Sequence, residues 1–168
     1  MPQENKTTAG GTGASTHSAL AWIRLNYDYF KSIPGILKIV QAILGIFCMI
    51  FASPAILAGT HWFLFVVITS FIATLIWMSV YFLGVREALQ LPINWILTEF
   101  LNTVVVAILY LTAFIIQLTS WSPNYHPHLR NPNLTAGVIG IFNTLAYAAG
   151  SYFLYIEWKS STPTTSPA

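Results

Sequence analysis

Between Glu99 and Arg130 the chain carries no Asp, Glu, Lys or Arg, and most of what fills the gap is apolar. A helix needs roughly 20 such residues to cross the hydrocarbon core of a bilayer, so 96–118 is long enough to span. The polar residues within it are not scattered. Glu99, Thr103, Val106, Tyr110, Ala113 and Gln117 follow alternating steps of four and three, which places them on one helical face, with Asn102 beside it. The opposite face, Leu101, Val104, Ile108, Leu111 and Ile115, is what lipid tails accept. A polar stripe in hydrocarbon needs protein against it, because polar groups without partners are costly there. Such a helix belongs to a bundle.

The rest of the composition agrees. Of 168 residues 55% are hydrophobic and 7% charged, where a soluble domain carries about 25% charged. With a mean hydropathy of +0.65 the chain is an integral membrane protein. A scattered net charge of +2 argues against a nucleic-acid partner. Cys48 is the one cysteine, so no internal disulfide forms; inside an apolar run it reads as a small buried side chain.

In chain order, 1–19 is rich in Gly, Ser and Thr and reads as a disordered cytosolic tail without a signal peptide. In 20–35, Leu20, Ile23, Tyr27 and Phe30 share one helical face while Arg24, Asp28 and Lys31 share another, the pattern of an interfacial amphipathic segment. Four spans follow, over 36–57, 62–83, 96–118 and 136–156, then a cytosolic tail over 157–168. The connection between the first two is so short that they must run antiparallel. The connection 119–135 carries Pro123, Pro127 and Pro132 and reads as the longest loop. The expected fold is all-α, a four-transmembrane-helix antiparallel bundle.

Lys and Arg in short loops set orientation. Lys6, Arg24, Lys31, Lys38, Arg86 and Lys159 fall on one side and only Arg130 on the other, so both termini are expected in the cytosol. Trp62 and Trp121 would then mark the outer interface, and Trp95 and Trp158 the inner one, as anchors of an aromatic belt. Along the fourth span Ala136, Gly140, Thr144 and Ala148 recur every four residues, a stripe of small side chains that lets backbones approach within the bundle.

Ionisable residues inside a membrane draw attention to function. Lys38 and Glu99 each lie just inside the cytosolic end of a span, and with Asn102 form an expected structural polar cluster. No acidic or basic residue continues outward from them, which disfavours an ion or proton path. His126-Pro127-His128 lacks a neighbouring Cys, Asp or Glu and is read as loop, not a metal site. No GxSxG, HExxH, Walker A or GxGxxG motif occurs in a fitting context, and the sole Asp, Asp28, excludes an aspartyl protease. No catalytic residue and no cofactor are expected. The sequons at Asn5 and Asn133 are expected to stay unmodified, the first in the cytosol and the second too near the bilayer.

Three stretches, YDYFKSIPGILKIVQAILGIF (27–47), NWILTEFLNTVVVAILYLTAFI (94–115) and GIFNTLAYAAGSYFLYIEWKSS (140–161), resemble the MARVEL-domain proteins, in the branch that contains MAL, plasmolipin and the chemokine-like factors. Their order and spacing carry the resemblance more than any single motif. Glu157 departs from it, standing where the family tends to have a neutral or basic residue, so no sorting signal is carried over from the family's tail. The resemblance implies a non-enzymatic multi-pass protein of the plasma membrane or Golgi–endosomal vesicles. Its role would be to organise membrane subdomains, vesicle trafficking or membrane apposition. Its partners would be membrane lipids, including cholesterol-rich ones, and other membrane proteins or further copies of itself. The alternatives are an escort that controls delivery or turnover of a receptor and, behind it, a small channel or transporter.

Tags placed before Met1 and after Ala168 should be invisible to antibody until cells are permeabilised, whereas a tag within 124–131 should be visible on intact cells. Surface labelling of either terminus would overturn the orientation.

Overall fold

The computed structural model describes residues 27–85, 93–122 and 126–161. The expected tail 1–19, the first part of the amphipathic segment, Arg86, and residues 162–168 lie outside the described residues.

The described chain opens on a 3₁₀ turn, Tyr27–Lys31, folded over the start of the first helix. Ser32 caps that helix: its hydroxyl accepts from the Gly35 amide (3.2 Å) and donates to the Tyr29 carbonyl (2.5 Å). A Cβ on Gly35 would run into that same carbonyl oxygen, so the fold-back needs glycine here. The segment 20–35 is therefore not one amphipathic helix where it is described. Its end is divided between the turn and the first turn of α1 (Ile33–Phe51).

Helix α1 stops at Phe51, short of the expected 57, because Pro54 has no N–H with which to continue the ladder. Helix α2 (Ala58–Phe82) starts earlier than 62. Helix α3 (Trp95–Ser120) is capped by Asn94, whose side chain accepts from the Leu97 amide (3.1 Å). Helix α4 (Pro127–Ser161) departs furthest from expectation, beginning nine residues before 136. Pro127 suits a first helical position, and Pro132 sits early enough that only the His128 carbonyl, near the helix end, loses a partner. Pro127 and Pro132, expected in a long loop, instead lie in the start of a helix, while Pro123 is outside the described residues. All four helices are long and apolar enough to cross a membrane.

The helices form an antiparallel ring in chain order, with α4 closing on α1 and packing most extensively on α3. Each presents an inner face at alternating three- and four-residue steps, the spacing that keeps one face toward its neighbours. In α3 that face is Ile96, Glu99, Thr103, Val106, Tyr110, Ala113 and Gln117, the polar stripe of the sequence with one further residue. In α4 it includes Ala136, Gly140, Asn143, Tyr147, Gly150 and Leu154. The strict four-residue stripe needs correction. Ala136 and Gly140 are buried, Thr144 is half-buried and Ala148 is exposed. A step of four overshoots a 3.6-residue turn by about 40°, so the row winds off the inner face toward lipid.

Another correction concerns the tryptophans. Trp62 is exposed at the start of α2, and Trp95 and Trp158 are half-buried. Trp121 is completely buried and donates from Nε1 to the Thr60 hydroxyl (2.7 Å). It closes one end of the bundle and has no surface with which to anchor to headgroups.

A Cβ at Gly140 would stand 3.0 Å from a Phe63 ring carbon and 3.1 Å from Phe114 Cβ. Gly140→Leu should cost about 1–3 kcal/mol through overpacking, whereas Ala148→Leu should be near neutral. Thermal unfolding of the purified variants in detergent checks this, and equal losses would mean that the inner face of α4 is misassigned.

Candidate functional site

Lys38 and Glu99 meet at one end of the ring. Lys38 lies in the second turn of α1 on the face that also buries Gly35 and Gln41. Glu99 lies in the second turn of α3, placed there by the Asn94 cap. Because the two helices start at the same end, the side chains share a depth and reach each other across the ring. Lys38 Nζ is 2.8 Å from Glu99 Oε1, with side-chain exposures of 5% and 2%. The second carboxylate oxygen accepts from the hydroxyl of Tyr81, near the end of α2. Three helices are thus tied to one carboxylate.

Asn102, expected as the third member, is half-buried, and among the described residues it makes no hydrogen bond to Glu99. Tyr81 takes that place. Nothing in the sequence singled Tyr81 out, since a tyrosine near a span end reads as part of an interfacial belt. Tyr29, from the 3₁₀ turn, stacks on Tyr81 with ring centroids 4.7 Å apart and planes within 8°. Burial, then the charges of Glu99 and Glu157, push the Tyr29 phenol above its ordinary value.

Further polar contacts run along the axis. Gln41 donates to the Ala146 carbonyl (3.1 Å), and Asn143 donates to the Gln41 carbonyl (3.3 Å) and the Tyr110 hydroxyl (2.9 Å). Thr74 and Tyr147 share a hydroxyl–hydroxyl bond of 2.7 Å across the ring from α2 to α4. Toward the opposite end Gln117 donates to the Asn133 side chain (2.9 Å), and Asn133 donates to the Leu129 carbonyl (2.9 Å). Asn133 is fully buried. The amide oxygens of Gln41, Gln117 and Asn143 are buried without a partner, so the network is anchored through its donors. Gln41 was readable in principle, three residues from Lys38 on the same helical face.

These contacts hold helices together and offer little chemistry. Among the described residues no second acid or base continues from Glu99 along the axis, and no group of three or more His, Cys, Asp or Glu could hold a metal. Cys48 lies fully buried against the Ala136 carbonyl, 3.8 Å from Sγ. His126 and His128 are exposed at the start of α4. His126 has a positive φ of 47°, and its carbonyl accepts from the Leu129 and Arg130 amides.

The family model described as the membrane-associating domain, MARVEL, matches residues 29–153. Plasmolipin from Danio rerio is 32% identical over 139 residues, 80% of this chain and 78% of the relative. CKLF-like MARVEL transmembrane domain-containing protein 8 is 22% identical over 165 residues in Homo sapiens, covering 93% of this chain and 91% of the relative. The Mus musculus protein is 25% identical over 158 residues, with 89% and 86% covered. No solved structure matches.

Removing one partner of a buried ion pair typically costs about 3–5 kcal/mol, because the other charge is left buried alone. Glu99→Leu and Lys38→Met should each destabilise strongly, and the double variant should lose less than their sum in a thermal-stability cycle. Glu99→Gln should be milder, since the amide oxygen still accepts from Tyr81. Strict additivity would show that the two charges are not coupled.

Proposed function

Because the chain belongs to the MARVEL family of multi-pass membrane proteins, we propose that it is a non-enzymatic organiser of membrane subdomains, acting in vesicle trafficking or membrane apposition. One observation carries this reading: the division of its surfaces. The polar side chains of the spans turn largely inward, while the outward side of every helix is mostly apolar, as with Ile36, Ile43, Phe65, Ile72, Ile108 and Phe142. Such a protein has two kinds of neighbour over most of its area, lipid and other membrane helices. Its influence is exerted through which of them it gathers. Cholesterol-rich lipid, other membrane proteins and further copies of the chain are the proposed partners, at the plasma membrane or on Golgi–endosomal vesicles. Both termini face the cytosol in this reading, supported by the Lys and Arg distribution, and any reporter in the opposite connection belongs before Pro127, where α4 begins.

Proximity labelling from a tagged chain in living cells tests the proposal. The expected result is a broad set of membrane neighbours with coat and trafficking proteins among them, and a vesicular or plasma-membrane pattern by microscopy. A single dominant receptor, with that receptor's surface level falling when the chain is depleted, would overturn it in favour of an escort.

A further inference from the structure

At the end of the bundle where Lys38 meets Glu99, the ring does not close completely. A cavity of about 230 Å³ remains, bounded by Tyr29, Ser32, Pro34, Tyr81, Glu99, Leu154 and Glu157. Its walls therefore come from the start of α1, the end of α2, the start of α3 and the end of α4, together with the 3₁₀ turn. Two carboxylates line it; the charge of Glu99 is balanced by Lys38, and Glu157 adds a second negative charge, with no basic side chain among the described lining residues. Lys38 approaches Glu99 without itself lining the cavity. The stacked rings of Tyr29 and Tyr81 add π surface, and Leu154 and Pro34 add apolar surface.

Carboxylate, aromatic ring and hydrocarbon together are the surroundings in which an ammonium group is recognised. A hard metal ion takes about six or more oxygen ligands and is a poorer fit, because both Glu99 oxygens are already held by Lys38 and Tyr81 and the Ser32 hydroxyl is engaged in capping α1. The volume lies below the roughly 300–1,000 Å³ of pockets that enclose drug-sized molecules, so it suits a headgroup more than a whole ligand. The position agrees, since the ends of membrane-spanning helices stand at the level of phospholipid headgroups. We propose that this cavity binds the ammonium group of a zwitterionic phospholipid. The inference names the lipid chemistry that the preceding reading leaves open, and rests on that reading only in taking lipids as partners.

Native mass spectrometry of the full chain tests it, after equilibration with phosphatidylcholine, phosphatidylethanolamine and phosphatidylglycerol of identical acyl chains. The two ammonium lipids, or one of them, should be retained over phosphatidylglycerol by roughly tenfold, the scale of one charged contact. Preference for phosphatidylcholine alone assigns a trimethylammonium site, and preference for phosphatidylethanolamine alone a primary ammonium site; both uphold the proposal. Glu157→Gln, which removes charge without changing shape, and Leu154→Trp, which fills the cavity, should each abolish the preference in protein that melts normally. With the unmodified chain, tetramethylammonium chloride should displace the retained phosphatidylcholine and sodium chloride of equal strength should not. Equal retention of phosphatidylglycerol, or a preference untouched by both variants, overturns the proposal. Proximity labelling reads neighbours and not headgroup binding, so either result leaves the test of the trafficking reading intact.

Discussion

Hydrocarbon offers no water with which a polar group can bond, and the arrangement of this bundle follows from that constraint. Lys38, Gln41, Thr74, Glu99, Asn143 and Gln117 would each be expensive facing lipid, so each turns toward the axis. Once there, each bonds to groups from other helices. The Lys38–Glu99 pair spans one diagonal of the ring and the Thr74–Tyr147 pair the other. The Gln41–Asn143–Tyr110 contacts join three helices in between. A slip of any helix by one residue would carry several of these groups toward lipid at once. Polar contacts therefore set register.

The charged pair stands at the end of the ring for a related reason. Bringing a Lys and a Glu out of water costs several kcal/mol per ion, and their attraction offsets it only with good geometry and further hydrogen bonds. Near a helix end the desolvation is least, and Tyr81 supplies the additional bond to the carboxylate. Tyr29 then packs on Tyr81, which brings the 3₁₀ turn over the same spot. The contact between Gly35 and the Tyr29 carbonyl completes the fold-back. One buried carboxylate thus organises the start of α1, the end of α2 and the chain before the first span.

Apolar packing provides what the polar contacts do not. Lipid tails are as apolar as the side chains facing them, so association in the bilayer depends on close fit and not on hydrophobicity. Gly140 accepts the Phe63 ring and the Phe114 Cβ within a distance that a Cβ of its own would crowd. With the inner surface committed to packing and polar contacts, the outer surface is left for lipid and other helices. That is the physical basis for reading the molecule as an organiser of its surroundings.

Much of this was legible in one sequence, because hydrocarbon makes the inner face easy to recognise. Apolar length defined four spans, and the alternating stripe on 96–118 named nearly the whole buried face of α3 before any neighbour was placed. The shared depth of Lys38 and Glu99 followed from where their spans begin. Tertiary structure decided the rest. It chose Tyr81 and not Asn102 as the second partner of Glu99, since that depends on where the end of α2 falls against α3. It moved Trp121 from a lipid-facing belt to a buried contact with Thr60, and it extended α4 back through Pro127 and Pro132 where prolines had read as loop. It rotated Ala148 out of the packing face, because a four-residue repeat drifts on a 3.6-residue helix. Periodicity shows which side of a helix faces inward; only the neighbouring helices determine which atoms it meets there.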